Sequence, residues 1–208
     1  MKVLTESVIT ESSYGLMDDY EELFRTQTNN NKEVLFGIQF LPGVVEYGLG
    51  NPLNGALSYD LSMTENIGGS SALFISYDLL KWLVDDKALS RLRGNVCIPG
   101  QKYSYIGTHL PAGSWTVPSG RTKCNIKKFV VGGIKDTDGI AVQGNSGHVP
   151  ALMRLAEVYL MYTEAAIGMG TQTSDGKALE YANAYANVHS NSTRRILCLI
   201  PAFLLMTF

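Results

Sequence analysis

The stretch from Pro150 to His189 constrains the fold most. Ala151 to Ile167 holds no glycine or proline before Gly168 and Gly170, and its only charged residues are Arg154, Glu157 and Glu164. Leu152, Leu155, Ala156, Tyr159 and Ala166 form one apolar stripe, which Val158, Leu160, Tyr162 and Ala165 widen. A helix that is apolar over most of its circumference must be packed on several sides, so a helix is expected over 151–167, with Pro150 tolerated in its first turn. Ser174 or Asp175 then suits an N-cap, and Ala178, Tyr181, Ala182, Tyr185 and Val188 recur at steps of three and four. Two such helices across a short loop make an antiparallel pair, the unit of tetratricopeptide-like stacking.

The rest of the chain reads as short elements set in long ordered loops. Residues 3–12 suit a helix, and Asp18 suits the cap of a short one in which Tyr20, Leu23 and Phe24 face inward and Glu21 completes a capping box. Val34, Phe36, Ile38 and Phe40 alternate as a strand would, up to Pro42-Gly43. Ser76 caps an expected helix through Asp85, with Trp82 read as core between Leu80 and Leu83; a further turn around Leu89 and Leu92 ends at Gly94. Lys127 to Val131 reads as a strand and Asp136 to Gly139 as a turn. Residues 44–72 and 95–125 are loop-rich, so the fold expected is mainly α, with short strands.

Several function classes are excluded by composition and spacing. With 208 residues, 45% apolar and 17% charged, the chain can bury a core and is not disordered as a whole. Its 17 basic and 19 acidic residues, without a dense basic block, give no footprint for nucleic acid. Cys97, Cys124 and Cys198 form no CxxC pair, and His109, His148 and His189 share no helical face, so no metal site or cofactor is expected. Asp136 and Asp138 precede Gly139 without calcium-loop spacing, and Gly48-x-Gly50 lacks a third glycine. The acidic pairs Asp18/Asp19, Glu21/Glu22 and Asp85/Asp86 fall at helix ends, where capping explains them; Glu157 and Glu164 suit bonds inside a helical bundle. No catalytic set emerges.

Sugar binding is compatible with what is left, because exposed aromatic rings stack on the C–H faces of carbohydrates while amides and guanidinium groups bond the hydroxyls. The loop aromatics Tyr47, Tyr59, Tyr103, Tyr105 and Trp115, beside Asn51, Asn54, Gln101 and Arg121, are the expected ligand contacts if exposed.

Several motifs in order carry a resemblance. Arg154-Leu-Ala-Glu-Val-Tyr-Leu-Met-Tyr-Thr-Glu-Ala-Ala166 is similar to the "RLAEVYLxYAEA" helix of SusD/RagB-like nutrient-binding outer-membrane lipoproteins of Bacteroidetes. Tyr14 to Phe24 and Asn29 to Phe40 resemble an earlier stretch of that family, and Ala178 to Asn183 falls where its next helix begins. The resemblance implies a tetratricopeptide-like SusD fold over residues 1–195, here an internal fragment. It also implies a surface-exposed outer-membrane lipoprotein that is not an enzyme and hands an oligosaccharide or other nutrient to a TonB-dependent SusC-like transporter. The family's signal peptide and lipidated cysteine have no counterpart in Met1 to Ser12, and its "NERRxE" helix gives way near His189 to an apolar run, Ile196 to Phe208. That run falls short of the roughly 20 residues that span a bilayer, and it is expected to be foreign to the fold. The rival reading is a helical-repeat protein-interaction module without sugar binding; a glycoside hydrolase would need two carboxylates placed about 5–9 Å apart.

Overall fold

The computed structural model describes residues 1–43, 48–65, 68–70, 73–85, 89–116, 124–134, 141–170 and 172–190. The expected turn at 136–139 and the tail 196–208 lie outside them. The described elements run in order α1 (Lys2–Glu11), a 3-10 turn (Tyr20–Phe24), β1 (Val34–Gly37), α2 (Leu53–Leu57), α3 (Tyr77–Asp85), α4 (Leu89–Asn95), β2 (Val96–Cys97), β3 (Asn125–Ile126), β4 (Ala151–Arg154), α5 (Leu155–Ile167) and α6 (Gly176–Ser190). The chain is mainly helical, with a tetratricopeptide-like pair at its end.

That pair is α5 and α6. Contacts step backward along α5 as they advance along α6: Thr163 Oγ1 donates to the Ala178 carbonyl at 3.2 Å, and the Tyr159 and Tyr181 rings lie 5.0 Å apart. The helices are therefore antiparallel. Gly168, at φ +60, ends α5 in a conformation that disfavours side chains, and Asp175 caps α6 by accepting from the Lys177 amide at 3.0 Å. Ala178, Tyr181 and Ala182 are buried, as their spacing predicts, whereas Tyr185 and Val188 are only partly buried and Ala186, outside that stripe, is buried too. Helix α1 joins this layer through Ile9, which packs against Tyr162, Ala178 and Tyr181, and through the Lys2–Asp175 and Lys177–Glu6 ion pairs.

The expected helix at 151–167 loses its first turn to a strand. Residues 151–154 pair antiparallel with β1, Val34 facing Arg154 and Gly37 facing Ala151. Proline before Ala151 supplies no amide donor, and the extended strand gains a partner that a first helical turn would lack. Leu152, assigned to the apolar stripe, is consequently 57% exposed, whereas Leu155, Ala156, Val158 and Tyr162 are buried. Glu157 and Glu164 point to solvent instead of into the bundle.

Two other boundaries shift. Asp19, not Asp18, caps the 3-10 turn, its carboxylate accepting from the Glu21 amide at 2.9 Å. Tyr20, Leu23 and Phe24 do face inward. The strand expected at 127–131 is displaced to Asn125–Ile126, which pairs with β2; Lys127 to Val131 turns inward, and the Lys127 amide donates to the Asn95 carbonyl at 2.8 Å. Gly94 lets α4 lie against the 3-10 turn, since a Cβ there would meet the Tyr20 ring at 2.6 Å.

Candidate functional site

The loop aromatics come together, but inside the protein. Tyr59, Tyr103, Tyr105 and Trp115 share one buried cluster with Leu57, Met63, Cys97, Ile106 and Val130. Trp115 is 1% exposed and Tyr105 2%, so the exposure expected of these rings is corrected. A buried cation draws two of them in. The Lys127 ammonium has no exposed side-chain surface; it lies 4.3 Å from the Tyr105 ring centroid and 5.1 Å from that of Tyr103, donates to the Tyr105 hydroxyl at 2.6 Å, and pairs with Glu21 at 3.0 Å. Rings that enclose an ammonium in this way replace its hydration. Burial nevertheless pushes the Lys127 pKa down to about 8, against the opposing Glu21 charge. Tyr47 and Arg121 lie outside the described residues.

The amides expected beside a sugar serve the backbone. Asn51 Nδ2 donates to the His148 carbonyl at 2.8 Å, and Asn54 Oδ1 accepts from the Val131 amide at 2.9 Å. Both side chains are buried. Gln101 is exposed.

A cavity of about 600 Å³ opens elsewhere, lined by residues of α3, α4, β3, β4 and α6. Ser76 Oγ accepts from the Leu79 amide at 3.2 Å and caps α3 as its sequence indicates. The helix then packs by one edge only: Leu83 is buried, while Tyr77, Leu79 and Trp82 are 75%, 48% and 44% exposed. Trp82, expected to be core, adjoins Leu83 in sequence and so points about 100° away around the helix. It lines the cavity with Phe74, Leu79 and Tyr20. Arg91, Asn95, Lys128, Arg154 and Tyr185 line it as well. Arg91 donates to the Tyr185 hydroxyl at 2.7 Å and lies over that ring, and the Lys128 ammonium lies 5.0 Å from the ring centroids of both Phe24 and Phe129. Sequence reasoning missed these residues because they come from six separate segments. The signal available was the run of aromatic and apolar residues on a helix too short to bury all of them.

The two buried carboxylates are placed for structure. Glu21 bonds Arg93 and Lys127, and Glu33 bonds Arg154 and the Met17 amide. Among the described residues no group of three His, Cys, Asp or Glu side chains could hold a metal ion, and no helix is long and apolar enough to cross a membrane.

Comparison with known proteins gives consistent results. Residues 99–187 match the sequence model of the SusD family. A SusD-like protein of Bacteroides ovatus is 35% identical over 179 residues, covering 85% of this chain and 31% of that protein. A crystal structure solved with a xylogluco-oligosaccharide superposes with a TM-score of 0.78 at 32% identity, over 90% of this chain and 37% of that one. The surface glycan-binding protein A of Bacteroides thetaiotaomicron, solved in complex with laminarihexaose, shares the fold at 17% identity, with a TM-score of 0.66 over 94% of this chain and 43% of that one. The chain thus spans about a third of the length of the first two of these relatives.

Proposed function

We propose that this chain, which belongs to the SusD/RagB-like family, is part of a cell-surface glycan-binding protein that passes oligosaccharide to a TonB-dependent SusC-like transporter in the outer membrane. The observation that carries the reading is the close superposition, at 32% identity, on a protein solved with a xylogluco-oligosaccharide. The cavity beside α3 adds chemistry that suits a sugar, with an exposed indole, further rings and hydrogen-bonding groups on one concave surface. Binding without turnover fits the described carboxylates, since Glu21 and Glu33 are both buried and both held by cations. Anchoring as a surface lipoprotein follows the same family reading.

In this account Tyr59, Tyr103, Tyr105 and Trp115 act from beneath, fixing loops whose outer faces meet ligand, and Tyr47 is a proposed direct contact. The test is a panel of oligosaccharides titrated against the protein, with product release followed in parallel: saturable binding with no release above background is expected. Copurification of a TonB-dependent transporter from Bacteroidetes membranes tests the partner.

A protein-interaction role gains one specific observation. Val3 and Leu4 on α1, Phe36 on β1 and Leu152 on β4 are each more than half exposed, and such apolar side chains suit packing against further polypeptide.

A further inference from the structure

The walls of the α3 cavity differ in charge from an ordinary sugar site. Arg91, Lys128 and Arg154 line it, and among the described residues no aspartate or glutamate does. Neutral sugars are commonly held through their hydroxyls by carboxylates and amides together, because a carboxylate accepts two hydroxyl protons at once. Here carboxylates are absent from the described wall, and the hydrogen-bonding groups beside the three cations are the neutral ones of Ser76, Asn95, Tyr20 and Tyr185. Arg154 has its own counter-ion in Glu33. Arg91 and Lys128 have no carboxylate within ion-pair distance among the described residues.

We propose that this cavity binds an acidic oligosaccharide, with the Trp82 indole stacked on a sugar ring and Arg91 and Lys128 bonded to a uronate or sulfate group it carries. The proposal rests on the glycan-binding reading above and narrows it to a ligand class and a place. Trp82 and Phe74 supply apolar faces, and the two cations line the same cavity. A guanidinium presents a planar fork that matches carboxylate and sulfate oxygens, and Arg91 is already held in place by the Tyr185 hydroxyl and ring. Lys128 is half-buried over two phenylalanine rings. Burial and the nearby Arg154 charge lower its pKa, so an anion entering the cavity relieves an existing electrostatic cost.

The experiment titrates the 208-residue protein with three probes: a tetrasaccharide of galacturonic acid, a sulfated chondroitin tetrasaccharide and the neutral glucose tetrasaccharide cellotetraose. At least one acidic probe is expected to bind about tenfold or more tightly than the neutral one, and its affinity to fall steeply between about 0.05 and about 0.5 M salt. Preference between the two acidic probes tells uronate from sulfate. Trp82→Ala, on the exposed face of α3, and Arg91→Gln are each expected to weaken acidic binding about tenfold or more, with unchanged thermal unfolding. Lys128→Gln is a third variant with the same expectation. Equal binding of neutral and acidic probes would overturn the acidic assignment and leave glycan binding standing, whereas acidic binding untouched by folded Trp82→Ala and Arg91→Gln would place the site elsewhere and overturn the proposal. Loss of all glycan binding, neutral and acidic alike, would remove the functional reading along with it.

Discussion

Arg154 Nη1 donates to Glu33 Oε1 at 2.9 Å where β4 hands over to α5, and the Glu33 side chain has no solvent exposure. The same glutamate accepts from the Met17 amide through Oε2, and its own carbonyl accepts from the Leu155 amide at 2.9 Å. One pair thus joins the segment before the 3-10 turn, the head of β1 and the start of α5. Burial raises the Glu33 pKa although Arg154 opposes it, so the carboxylate depends on its partner. Arg154→Met, which leaves the charge buried alone, is expected to cost about 3–5 kcal/mol. Glu33→Gln keeps an acceptor without the charge and should cost less, about 1–3 kcal/mol. Denaturant unfolding of the two variants measures both, and a reversed order would contradict the account.

The start of α5 gives a second test, because two leucines three residues apart meet opposite environments. Leu155 is 1% exposed and Leu152, on β4, is 57% exposed. Leu155→Ala should lose about 2–5 kcal/mol, and Leu152→Ala about 0.5 kcal/mol or less. Equal losses in unfolding experiments would restore a continuous helix from 151.

Burial of Trp115 moves its expected effect from affinity to stability. It packs on Tyr59 with ring centroids 5.1 Å apart, and Gly107, at φ +73, leaves room for the Trp115 backbone where a Cβ would approach its amide nitrogen to 2.8 Å. Trp115→Ala should cost about 3–5 kcal/mol in unfolding. A folded Trp115→Ala protein of normal stability that no longer binds glycan would instead make the ring a direct contact.

What the sequence revealed and what it hid separate along physical lines. Local rules carried the helices: the Ser76 and Asp175 caps and the burial of Ala178, Tyr181 and Ala182 are properties of neighbouring residues, and they stand as expected. Pairings across long separations were hidden. The partner that turns 151–154 into a strand lies at 34–37, and the glutamate that fixes Lys127 among the tyrosines lies at position 21. For this reason the sequence left open whether loop tyrosines among glycine, serine and proline face ligand or pack inside, and a buried ammonium gathers Tyr103 and Tyr105 into the core. Trp82 erred in the opposite direction, since an apolar helix of nine residues reads as core when nothing in the sequence shows how little covers it.

Acid should loosen the fold through His148. The imidazole is buried beside the Phe129 ring, and burial pushes its pKa down to about 4, although the nearby Leu23 backbone favours the proton. In the unfolded chain the ordinary value is about 6.5, so the unfolded state takes up a proton first as pH falls. The contribution of neutral His148 is complete above about pH 6.5, declines from there to about pH 4, and changes no further below that. Unfolding free energies measured across this range should show the decline, and His148→Phe should flatten it. An unaltered profile in that variant would assign the acid sensitivity to other groups.

The most direct test of the account measures binding and turnover together. The protein is titrated calorimetrically with xylogluco-oligosaccharide and with acidic tetrasaccharides, and the same mixtures are followed chromatographically for cleavage. Saturable binding of at least one glycan with every oligosaccharide recovered intact is the predicted result. Sustained release of shorter products, or no binding by folded protein to any glycan in the set, would contradict it.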